Sequence, residues 1–120
     1  MRLTELVGKR VHVITANTRY QFDIFAIGDI HGESFPVEGR HATKYLDGRY
    51  SDIEIRGTKT SRYPWNALGP QFAREGQLFE GGFLSYRYPG HLDYITTSMI
   101  REIKVEPLPE NPLCETFSTL

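Results

Sequence analysis

A single cysteine, Cys114, occurs in 120 residues, so no internal disulfide can form and no thiolate cluster can bind zinc. No apolar run approaches the roughly 20 residues that span a bilayer. The opening Met1–Val7 is too short and too charged for a secretory signal. These absences set the expectation of a cytoplasmic protein without a membrane partner. No glycine-rich phosphate loop precedes a helix, no long amphipathic helical period occurs, and no segment repeats. Cys114 lies in a proline-rich stretch with no histidine in its segment to activate it. No cofactor is expected. The formal net charge of −1 is not the strongly basic balance of a dedicated nucleic-acid binder.

Aromatics and turn residues are plentiful. Seven Phe, seven Tyr and one Trp accompany eleven Gly and seven Pro, spread along the chain, which is strand-and-turn usage in a chain long enough to bury a core. The clearest stretch is Gly82–Glu106. There Leu84, Tyr86 and Tyr88 alternate with Phe83, Ser85 and Arg87 up to the turn dipeptide Pro89-Gly90. His91–Thr97 pairs back as a hairpin, Thr97-Ser98 interrupts it, and Ile103 and Val105 give one face of a last strand. Near the start, Leu3–Val7 predicts one helical turn ended by Gly8, with Leu3, Leu6 and Val7 on one side. A strand over Lys9–Thr15 points Val11 and Val13 inward. Asn17-Thr18 turns into a strand over Tyr20–Ile27 that is apolar on both faces, and Gly28 breaks it. Asp29–Arg49 reads as mostly loop with a short strand near Ala42–Leu46. Ile53 and Ile55 mark another strand, ended by Gly57.

The fold class expected is therefore all-β, or β-rich α+β. One strongly bent small barrel would occupy residues 1–106, with a loop-rich insertion over about 28–82 and a proline-containing tail over 107–120.

Charge is unevenly placed. Between Arg40 and Arg74 seven basic residues face three acids, and from Glu75 onward seven acids face three basic residues, an asymmetry that can steer an anionic partner. Within the basic half, Arg56, Lys59, Arg62, Tyr63 and Trp65 interleave cations with rings, the pattern that neutralises phosphates and stacks bases. Tyr86, Arg87 and Tyr88 offer a smaller version. These eight residues are the candidate ligand-binding set. The competing reading is that the Trp and some Tyr are core, and that His12, alternating with Val11 and Val13, faces solvent.

Three resemblances attach to particular residues. Leu6–Thr15, Asn17-Thr18-Arg19 and the strand ending at Gly28-Asp29, with the later Ile55-Arg56-Gly57, look like segments of Sm-like proteins. That resemblance implies RNA binding near Arg56 and Gly57 and assembly into homo-oligomeric rings. Tyr94–Ile103 looks like the end of a Src-homology-3-type barrel, a strand, one tight helical turn and a final strand. Phe25–Gly32, an apolar strand running into Gly-Asp-Ile-His-Gly, resembles the first motif of calcineurin-like metallophosphoesterases, in which Asp29 and His31 would ligate one metal. The remaining motifs of that family are absent from the chain.

The function expected is non-catalytic binding by a small accessory or inhibitor protein, with a protein partner ranked first. Binding of RNA or single-stranded DNA through the basic, aromatic patch comes second. Metal-dependent phosphoester hydrolysis comes third.

Overall fold

A computed structural model describes residues 1–41, 46, 48–60 and 74–109, with Arg74 and Glu75 described by backbone only. Among the described residues a 3₁₀ turn, Leu3–Leu6, precedes nine strands: β1 Lys9–Ile14, β2 Thr18–Ala26, β3 Asp29–Pro36, β4 Arg49–Tyr50, β5 Glu54–Lys59, β6 Arg74–Glu75, β7 Phe83–Arg87, β8 Ile95–Met99 and β9 Glu102–Pro107. They form two antiparallel sheets, ordered β4-β3-β2-β1-β9 and β6-β5-β7-β8. The protein is all-β, as its alternation and turn residues imply. The strands are shared between two sheets rather than closed into one barrel. Among the described residues no helix is long and apolar enough to cross a membrane.

The first sheet grows from β1, whose period-2 pattern buries Val11 and Val13 completely. They sit opposite Phe22 and Tyr20 of β2. The turn between these strands is held by Thr15, whose amide and hydroxyl both donate to the Thr18 carbonyl, at 2.9 and 3.1 Å. A bulge between Ile24 and Ala26 then shifts the β2–β3 register. Beyond it the second apolar face of β2 is not buried, since Phe25 is 42% and Ile27 59% exposed. Gly28, at φ 89°, makes the turn into β3.

The strand β3 corrects the expectation of a loop from Asp29 onward. Gly32, within the stretch expected as loop, faces the ring of Phe22 across the pair. A β-carbon there would lie 3.0 to 3.1 Å from Phe22 ring atoms, so the glycine lets an aromatic ring lie over the backbone. Ala42–Tyr45 of the expected short strand lie outside the described residues, while Leu46 is fully buried.

Two corners carry the chain between sheets. Ser51–Ile53 leads from β4 to β5, with Asp52 at φ 60° and the Ile53 amide donating to the Ile30 carbonyl at 2.9 Å. Ile100 and Arg101 lead from β8 to β9. The Ile100 amide donates to the carbonyl of Gly82, just before β7, and the Arg101 amide donates to that of Ile14 in β1. Thr97 and Ser98 lie within β8 rather than ending it, and the expected helical turn before the last strand is replaced by this extended two-residue link. Gly57 likewise sits inside β5, at φ 129°, where a bulge separates Ile55 from Gly57.

The core lies between the sheets. Tyr20 and Phe22 of one meet Tyr86 of the other at ring-centroid distances of 5.8 Å each. Leu3 and Leu6 of the 3₁₀ turn are buried beside this core, as expected, but Val7 is exposed. The strand β9 runs on to Pro107, which pairs with Lys9, and the Leu108 amide still donates to Gly8. Proline fits there because β9 is an edge strand and the position of its missing N–H faces away from β1.

Candidate functional site

The outer face of the second sheet gathers four polar side chains from three segments. Antiparallel pairing sets Glu54 of β5 opposite Arg87 of β7, and the Arg87 guanidinium donates to Glu54 Oε2. The Tyr94 hydroxyl donates to the same oxygen at 3.0 Å. Over the Tyr94 ring lie two guanidinium carbons, Arg87 at 5.0 Å and Arg56 at 5.3 Å from the centroid, within cation–π range. Arg56 sits at the β5 bulge, which re-aims its side chain.

The charges tune one another. The Arg87 guanidinium, and after it the Tyr94 hydroxyl, hold the Glu54 carboxyl below its ordinary range. Burial first, and then Glu54, push the Tyr94 phenol above its own. Glu54 therefore adds stability above the ordinary carboxylate pKa, and this is lost as pH falls through its lowered value. The contribution of Tyr94 is present below the ordinary phenol pKa and is lost as pH rises through its raised value. In a carbon-13 chemical-shift titration, Glu54→Gln is expected to bring the Tyr94 midpoint down without restoring it fully, because burial persists. An unmoved Tyr94 midpoint would show that the two groups are not coupled.

Beside this cluster runs a short stack. The rings of Tyr50 and Tyr88 lie 4.6 Å apart and those of Tyr88 and His91 5.0 Å apart. With Asp52, Glu54 and Arg87 at its walls, the β7–β8 turn carrying His91 encloses an open cleft of about 330 Å³.

Of the eight residues singled out from sequence, three meet here: Arg56, Arg87 and Tyr88. Lys59 does not reach the surface. It is 2% exposed, and burial, with the nearby Arg56 charge, holds its ammonium below the ordinary lysine range. Tyr86 belongs to the core, fully buried against Tyr20 and Phe22. Arg62, Tyr63 and Trp65 lie outside the described residues. Sequence spacing does not single out Tyr94, Tyr50 or His91, and it shows Asp52 and Glu54 only as two acids on one strand face with no pocket beside them. Tyrosine on strand termini was the available signal, but the Glu54–Arg87 pairing spans 33 positions and needs the strand register to be seen.

Asp29 and His31 stand two apart on β3, with His31 Nε2 3.3 Å from Asp29 Oδ1 and the imidazole edge-on to Phe25 at 4.8 Å. Among the described residues no group of three or more His, Cys, Asp or Glu is placed to hold a metal ion. His12 is covered rather than solvent-facing. Its Nδ1 lies 2.9 Å from Arg19 and its Nε2 3.3 Å from Glu106, with 14% of its side chain exposed. Since arginine only donates, Nδ1 accepts and the proton of neutral His12 sits on Nε2.

No known protein family, curated protein or solved structure matches this chain.

Proposed function

We propose that the protein is a non-catalytic binding module whose outer second-sheet face engages a protein partner, as a small accessory or inhibitor protein would. The observation that carries this reading is the packing of Arg56 and Arg87 on Tyr94 beside the Tyr50–Tyr88–His91 stack. Arginine and tyrosine are the residues that concentrate binding energy at protein interfaces. Tyrosine offers broad contact area at a small entropic cost, and arginine adds a planar set of directional donors. Partly ordered in advance by Glu54, these side chains lose less freedom on docking than free surface chains would.

The electrostatics favour a protein over a nucleic acid. Two carboxylates, Asp52 and Glu54, line the cleft, and Lys59, the cation expected to reach a phosphate, is buried. The test is a titration of fluorescent single-stranded RNA and DNA at two salt concentrations. Binding weaker than about 100 µM at physiological salt, with no difference between wild type and Arg56→Ala/Arg87→Ala, is expected. Tighter binding that weakens steeply with salt and is lost in the double variant would replace the protein-partner reading with the nucleic-acid one.

A further inference from the structure

Two clefts flank Glu54, and their linings differ in kind. One, of about 330 Å³, is polar and aromatic, bounded by Asp52, Glu54, Arg87, Tyr88 and His91. The other, of about 280 Å³, is apolar. Its floor is Leu3, Ile30 and Ile53, all buried, and its walls include Ile27, Ile55 and Tyr94. It opens between the tip of the β2–β3 hairpin and β5, where Ile27 stands 59% exposed. Glu54 borders both clefts, so a ligand filling one lies next to the other.

From this pairing we infer that the site docks an extended peptide segment of a partner protein, one carrying an aliphatic side chain next to an arginine or lysine. The inference rests on the protein-partner reading and specifies its chemistry. The cation belongs in the polar cleft by charge complementarity. Arg87 is already turned onto Glu54 and Tyr94; in the lining of this cleft the carboxylates of Asp52 and Glu54 stand against that one guanidinium, while Arg56 lies over Tyr94 outside the lining. Among the described residues Asp52 makes no hydrogen bond or ion pair. The corner between β4 and β5 holds it at φ 60°, a left-handed conformation that aspartate tolerates better than most residues. A guest guanidinium or ammonium can pair with Asp52 while its stem lies on the ring of Tyr88. The aliphatic neighbour fills the isoleucine-lined cleft and removes the exposed part of Ile27 from water.

The experiment is selection of a phage-displayed random dodecapeptide library on immobilised full-length protein, followed by fluorescence polarisation with the enriched peptides made synthetically. Enrichment of Arg or Lys within two positions of Leu, Ile or Val is expected. Asp52→Asn, which keeps the left-handed backbone and removes the charge, should weaken binding at least about fivefold, or roughly 1 kcal/mol. Ile27→Asp, on an exposed position, should do the same. Enriched peptides without a basic residue, or with unchanged affinity for Asp52→Asn, would overturn the inference. If Arg56→Ala/Arg87→Ala still weakened those peptides, the protein-partner reading would survive that failure. An unenriched library together with salt-dependent RNA binding would overturn both.

Discussion

Tyr86→Ala is expected to cost about 3 to 5 kcal/mol of folding stability, a large fraction of the roughly 5 to 15 kcal/mol that a domain has. The effect would be read as a large drop in the urea midpoint with unchanged slope. Tyr86 is fully buried on β7 and its ring meets Tyr20 and Phe22 from the opposite sheet. Truncation removes the ring's apolar area from the core and leaves a cavity that two strands cannot close without moving their sheets together. Tyr88→Ala, two residues along and half-buried at the rim, should cost about 1 kcal/mol or less. Its loss should instead appear in partner binding. Equal destabilisation by the two substitutions would contradict the placement of the core.

Arg10→Ala is expected to be the next most damaging change, at about 3 to 5 kcal/mol. Arg10 on β1 grips Asp23 on β2 with two parallel bonds, Nε to Oδ1 at 2.7 Å and the terminal nitrogen to Oδ2 at 3.0 Å. The Asp23 side chain is 6% exposed and that of Arg10 25%. Removing the arginine strands a buried carboxylate, whereas Asp23→Ala leaves a guanidinium that can turn toward water, so the second change should be milder. Replacing both, as Arg10→Met/Asp23→Leu, should recover most of the loss, because a well-packed apolar pair avoids the desolvation of both charges. A double variant as unstable as Arg10→Ala alone would show that packing around the pair, rather than the stranded charge, sets the cost.

Local pattern made the all-β class legible. Val11 and Val13, the buried Leu84 and Tyr86, and the Pro89-Gly90 turn lie where period-2 burial and turn chemistry put them, whereas Ser85, expected on the opposite face, is buried as well. Two strands were obscured by their glycines. In β3, Gly32 serves the close approach of Phe22 rather than a loop, and in β5, Gly57 occupies a bulge rather than an end. That bulge sets Thr58, rather than Gly57, opposite the buried Leu84, since a one-residue shift exchanges the inner and outer faces of a strand. The site was less legible than the fold. Tyr86 shares its parity with Leu84 and so was readable as core, but Glu54, Arg87 and Tyr94 converge only through long-range register and a corner at Asp52. No local spacing encodes that meeting.

The central claim is that the outer second-sheet face is where a protein partner docks. It is tested most directly by placing a photo-crosslinking amino acid at Leu92, 90% exposed in the turn beside the cleft, and separately at Lys104 on the exposed edge strand β9. Irradiation in cells that carry the protein should give a discrete protein adduct from position 92 that disappears with Arg56→Ala/Arg87→Ala, and no such adduct from position 104. An adduct confined to position 104, or nuclease-sensitive adducts from position 92, would contradict it.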